Sequence, residues 1–178
     1  MKHGMKIVPL MVLLVGLASC SLFRVDVETT TSGQLDIVVD DMTIKSTAAH
    51  PFYDWTTVDP GDDEDVAKYA DQIVEVGVDG IFAEVESVNI PDVVFHVGST
   101  FAIWDDADTA IWTMDHDWPI EEGTTLTLDD LGGTYDDVAT ILKKVEPFSI
   151  GMLGTSSHTG IFVTIRIDIE STITGSIF

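Results

Sequence analysis

Positive charge is scarce in this chain of 178 residues. Eight Lys and Arg stand against 31 Asp and Glu, for a formal charge of −23. Nucleic-acid binding is excluded on that ground, because phosphate backbones are held by clusters of Lys and Arg, and the only adjacent basic pair is Lys143-Lys144. Attraction to anionic lipid headgroups fails for the same reason. Cysteine occurs once, at Cys20. No disulfide can close within the chain, and a Cys-based zinc site would lack partners. The one long apolar run, Ile7 to Leu17, has 11 residues, too few for a spanning helix of ~20. Apolar residues as such are not lacking: the hydrophobic share is 45%, enough to build a core and to exclude wholesale disorder. The length suits a single domain of ~100–200 residues. The acid excess reads as a solvated coat that resists association, with divalent-cation binding as the sharper alternative.

The first twenty residues read as an export signal. Lys2 and Lys6 make a basic start, the apolar run follows, and it ends Leu17-Ala18-Ser19-Cys20. This order fits the apolar region and small-residue cleavage site of a secretory signal. The last four residues resemble the bacterial lipobox, an aliphatic residue, two small residues and a cysteine. The resemblance implies cleavage after Ser19, a diacylglycerol thioether on the Cys20 thiol, and acylation of the new amino terminus. Each buried methylene of an acyl chain contributes ~0.8 kcal/mol, so two or three chains anchor a protein without a basic patch. Ser21 stands where an Asp would direct retention in the inner membrane, which favours an outer-membrane or cell-surface location. The expected organisation is a signal peptide over 1–19, a lipidated tether over 20–33 and one domain over 34–178.

Strand patterns fill that domain. Leu35, Ile37 and Val39 alternate with polar residues, and Met42 and Ile44 continue after a phase shift at Asp40-Asp41. Segment 46–62 reads as a loop, and Val66, Tyr69, Ala70 and Ile73 then recur at helical spacing behind an acidic start. The helix runs into Val76, Val78, Ile81, Ala83 and Val85, with a bulge expected at Gly80. Further alternation covers Val93 to Val97, Phe101 to Ile103, Ala110 to Trp118, and Leu126 with Leu128. A second helix opens at Thr134-Tyr135-Asp136-Asp137 with a capping-box-like start and buries Val138, Ile141, Leu142 and Val145. The clearest element comes last: Ile161, Val163, Ile165, Ile167, Ile169 and Ile173 face one way, while Thr164, Arg166, Asp168 and Glu170 face the other. One wet face and one buried face belong to an antiparallel sheet. The prediction is a mainly β, antiparallel immunoglobulin-like β-sandwich with two short helices.

Asp65 to Val85 and Asp137 to Ile173 are similar to uncharacterised surface lipoproteins of Bacteroidota, in which an acidic helix leads to a strand and a long alternating strand closes the chain. That resemblance implies fold and location, and no activity.

Catalytic signatures are absent. There is no G-x-S-x-G, and Gly132-Gly133-Thr134 lacks the lysine of a phosphate loop. Ser156-Ser157-His158 sets hydroxyls beside an imidazole, but neighbours in a turn are expected to point apart. With 31 acids some close carboxylate pair is inevitable, so such a pair is no sign of a glycosidase, and a hydrolase is the least favoured reading. Calcium is the cation that oxygen-rich loops would take, from Asp59, Asp62, Asp63 and Asp65 in one loop and Asp105, Asp106 and Asp108 in another. No other cofactor is expected. Aromatic residues offer a second site. Phe52, Tyr53, Trp55, Trp104 and Trp118 could stack sugar rings, or they could fill a small core. The expected protein is therefore a lipid-anchored, non-enzymatic envelope protein with a structural, adhesive or binding role, and a glycan-binding module, calcium-assisted or not, is the alternative. Its expected partners are the membrane, through Cys20, and a glycan or a protein.

Overall fold

The computed structural model describes residues 24–40, 49–62 and 64–176. The lipobox with Cys20, the strand continuation at Met42 and Ile44, and Asp63 lie outside the described residues, as does the side chain of Asp65.

Period-two alternation dictates the longest strands. In β10 (Ile161–Ser176) the odd positions from Ile161 to Ile173 are buried and the even ones face solvent. Each isoleucine or valine so buried contributes about 1.5–3 kcal/mol. β10 lies between β1 (Arg24–Val39) and β3 (Ile73–Val88), antiparallel to both, and β8 (Thr125–Thr127) completes the sheet in the order β1-β10-β3-β8. The bulge expected at Gly80 is present: Glu170 pairs with Gly80 and Ser171 with Val78, which leaves Asp79 extra.

The second sheet has six strands. β9 (Phe148–Ser156) pairs on one side with β2 (His50–Val58) and on the other with β5 (Thr100–Trp104) and β4 (Val93–Phe95). β6 (Thr109–Thr113) pairs with β5, and β7 (Trp118–Ile120) with β4. Inner positions of both sheets form one core, including Leu35, Ile37, Phe95, Phe101, Ile150 and Ile165. The sheets approach closely at Gly33, where a β-carbon would lie 2.8 Å from Val58 and 3.0 Å from Ile150. The fold is the antiparallel β-sandwich with short helices that the alternation implies.

The helices are α1 (Glu64–Tyr69), continued by a 3-10 turn at Ala70–Gln72, and α2 (Thr134–Lys143). α2 buries Val138, Ile141 and Leu142 and packs on β3, β6 and β5, so it closes one end between the sheets. Its start departs from the capping-box expectation. Gly133 is the cap residue, in a left-handed conformation. The Asp130 carboxylate does the capping, accepting the backbone N–H groups of Gly133 (3.1 Å) and Tyr135 (3.3 Å).

Three local expectations are corrected. Residues 50–58 are a strand and not part of a loop. Residues 24–33 are the first half of β1, paired with β10 from Arg24 onward, and not a tether. The alternation from Ala110 to Trp118 is broken by a turn, which splits it between β6 and β7 in different parts of the sheet.

Candidate functional site

The two outer faces of the sandwich differ in kind. On the four-stranded sheet, Asp26, Glu28, Asp36, Glu84, Asp168 and Glu170 occupy outward positions. Hydroxyl groups of neighbouring strands donate to several acids there: Ser32 to Asp168 (2.7 Å), Thr164 to Asp36 (3.0 Å) and Thr174 to Asp26 (2.8 Å). Arg166 is the cation at the centre of this face. Its guanidinium donates to Glu84 (2.6 Å), Asp168 (2.9 Å) and Glu86 (3.3 Å), and those carboxylates, Asp168 foremost, raise its pKa.

The outer face of the six-stranded sheet carries no charge over its central area. Three register rows cross β2, β9, β5 and β6: Tyr53-Leu153-Thr100-Thr113, Trp55-Gly151-Ala102-Ile111 and Thr57-Ser149-Trp104-Thr109. None of these positions holds an acid or a base. Tyr53 is 63% exposed, Trp55 50%, Ile111 52% and Leu153 51%. Gly151 is what makes the centre flat. Its missing side chain leaves room for the Trp104 indole, whose Cη2 and Cζ3 would stand 2.8 and 3.0 Å from a β-carbon there. Trp55 is paired with the same glycine from the opposite neighbouring strand.

Of the five aromatic residues singled out from the sequence, three share this face: Tyr53, Trp55 and Trp104. The other two are corrected to the core. Phe52 is buried against Phe95, with ring centroids 4.3 Å apart. Trp118 is buried edge-on to Phe95 at 6.2 Å. Ile111, Leu153 and the glycine at 151 were not anticipated. The available signal was an apolar residue out of phase with its strand's buried set, beside Ala110 and Trp112 and beside Met152.

At the Trp104 end the face meets a cleft of about 350 Å³, lined by Asp105, Asp106, Lys144 and Glu146 among others. Here one group of calcium candidates is accounted for. The Lys144 ammonium lies between Asp105 (2.5 Å) and Asp108 (2.7 Å). The Asp105 carboxylate also accepts the backbone N–H groups of Ala107 and Asp108, both at 2.8 Å. The hydrogen bond from Lys144 is the largest cause that pulls the Asp105 pKa down to about 2, and the two carboxylates push that of Lys144 up. Asp106 is exposed beside this pair. In the other group, Asp59 accepts the Gly61 N–H at 2.8 Å to form a turn, and Asp62 is exposed. Among the described residues no three His, Cys, Asp or Glu side chains are gathered as metal ligands.

Ser157 and His158 do meet, contrary to expectation. Ser157 Oγ stands 2.8 Å from His158 Nδ1 and accepts the Val94 N–H at 2.9 Å. Among the described residues no carboxylate is hydrogen-bonded to His158, so the pair lacks the orienting acid of a hydrolytic triad and serves the turn.

Comparison with known proteins places this geometry in no family. No family model matches, and no curated protein matches. Among solved structures the chain is similar to the decameric BFDV capsid protein, at 12% identity and a TM-score of 0.44, covering 84% of this chain and 99% of that one. It is also similar to Desmodium yellow mottle tymovirus, at 7% identity and a TM-score of 0.33 over 86% of this chain and 90% of that one. Likenesses of this size support no transfer of ligand, assembly or activity.

Proposed function

We propose that the chain is an exported, lipid-anchored, non-enzymatic protein of the bacterial envelope that binds its target with the uncharged aromatic face of the six-stranded sheet. The observation that carries the binding role is the contrast between the two outer faces. A protein of charge −23 keeps one flat area free of charge and sets Tyr53, Trp55, Ile111 and Leu153 on it, at least half exposed. Contiguous exposed apolar surface on a soluble domain marks an interaction site, and Tyr and Trp are the residues that most often carry binding energy.

The anchor rests on Leu17-Ala18-Ser19-Cys20. β1 begins at Arg24, so the four steps from Cys20 reach at most about 14 Å. The sandwich would then stand close to the bilayer, kept from lying on it by its own acids. Ser21, in place of an Asp, favours outer-membrane or cell-surface display. No helix among the described residues is long and apolar enough to cross a membrane. A glycan is the second reading of the target, and the three aromatic residues brought to one face, Tyr53, Trp55 and Trp104, support it.

Two variants test the proposal. Cys20→Ala should abolish labelled-palmitate incorporation and release the protein from the membrane fraction; retention of the label or of the protein refutes the anchor. Trp55→Ala should weaken binding of the full chain to envelope fragments, and unchanged binding refutes the face.

A further inference from the structure

We infer that the aromatic face takes an uncharged polysaccharide, laid flat across β2, β9, β5 and β6. This rests on the proposed binding role of that face and names its ligand class.

Shape comes first. The Trp104 indole lies over Gly151, and Trp55 flanks the same glycine, so the centre is a platform and not a groove. A pyranose ring offers a flat patch of C–H groups to such a surface, whereas an apolar helix or side chain needs a concave seat. Around the rings the polar groups are hydroxyls, at Thr57, Thr100, Thr109, Thr113 and Ser149. Hydroxyls both donate and accept, which suits sugar hydroxyls of either orientation. At the Trp104 end, the exposed carboxylates of Asp106 and Glu146 border the cleft and can accept from sugar hydroxyls.

Charge narrows the class. A polyanionic glycan is repelled by the chain as a whole and finds no cation among the twelve positions of the three rows. A second copy brings another −23. Area also argues against a second copy. Strands lie ~4.8 Å apart with a rise of ~3.4 Å per residue, so four strands by three rows, with side-chain margins, cover about 400 Å². A stable protein interface needs ~800 Å² from each partner.

The test uses the full chain in detergent, run on native gels cast with hydroxyethyl cellulose, xylan or dextran, and with alginate as the polyanion. At least one neutral polymer should retard the protein, and alginate should not. Trp55→Ala and Tyr53→Ala should each weaken retardation about tenfold. Phe162→Ala, which removes an exposed aromatic residue from the opposite face, should leave it unchanged. Circular dichroism of each variant checks folding. The inference is overturned if no neutral polymer retards the chain, if Trp55→Ala and Tyr53→Ala both bind like the parent, or if alginate binds more strongly. It is also overturned if sedimentation shows a dimer that Trp55→Ala dissolves, or if Trp55 is shielded from a quencher in the free protein. Envelope-fragment binding separates the two levels. If the polymers fail while Trp55→Ala still reduces fragment binding, the ligand class is wrong and the binding face stands; if both are unaffected, both fall.

Discussion

Replacing Gly151 by Ala tests whether the platform is built as described. Gly151 has no positive φ, so Ala meets no backbone strain. Its new methyl would stand 2.8 Å from Trp104 Cη2, 3.0 Å from Cζ3 and 3.1 Å from the Asp54 carbonyl oxygen. Overpacking of this kind costs about 1–3 kcal/mol. The middle of that range, about 1.5–2 kcal/mol, applies, because the indole edge can swing outward while the Asp54 carbonyl oxygen, fixed in the backbone, cannot. Against this, Gly→Ala restricts the unfolded chain and stabilises by about 0.4–1 kcal/mol. The net expectation is a loss of about 1 kcal/mol, or a fall in Tm of ~2–4 °C for a domain of this size. A double-mutant cycle locates the cause. With Trp104→Ala in the background the indole is gone, and Gly151→Ala should become neutral or slightly stabilising. The coupling should then reach about 1 kcal/mol, above the ~0.3–0.5 kcal/mol by which independent sites fail to add. Urea unfolding followed by circular dichroism reads all four proteins. An equal cost in both backgrounds, or no cost in the parent, refutes the claim that Gly151 is kept bare for Trp104.

Three further outcomes are expected. Lys144→Met should lower Tm at neutral pH, and the difference should vanish in acid. The folded pKa of Asp105 is depressed from 3.8 to about 2, so its contribution is full above 3.8 and is lost as pH falls through about 2; a gap that persists below that window contradicts the pairing. Millimolar calcium should leave the Tm of the parent unchanged, because the Lys144 ammonium already occupies the place between Asp105 and Asp108. A rise would mean that the ion binds the folded state and would support the calcium reading. Ile167→Ala, at a fully buried position of β10, should cost about 2–5 kcal/mol in urea unfolding, while Phe162→Ala, 59% exposed, should stay within about 0.5 kcal/mol; similar costs would mean the facing of β10 is wrong.

Much of the fold was legible where one side of a strand is dry. β10 reads directly, because a single alternation runs from Ile161 to Ile173. β2 does not. Its inward positions run Phe52, Asp54, Thr56 and Val58, with two polar residues facing the corner where Asp54 accepts the Asp36 N–H at 3.0 Å. Its outward positions hold Tyr53 and Trp55. Alternation is thus inverted at the centre of the strand, and the segment passes for a loop. The split between β6 and β7 was hidden for the opposite reason, since Trp112, Met114 and Trp118 keep one phase through a turn and are all buried.

Composition and local order by themselves determined the acidic character, the scarcity of Lys and Arg, the export-signal pattern ending in Cys20 and the two-faced strands of a sandwich. Each of these depends on residues that are near one another in the chain or on a sum over all of it. Which aromatic residues share a surface was decided only by tertiary structure. Trp118 goes inside through the pairing of β7 with β4, and Tyr53, Trp55 and Trp104 come together and Phe52 goes inside because of the register of β2 and β5 on β9, about fifty to a hundred residues away. Side chains alternate between faces with a period of two, so a one-residue slip in that pairing would turn the aromatic residues inward and Phe52 out. Such a register is set by packing between distant segments and leaves no mark in the local pattern.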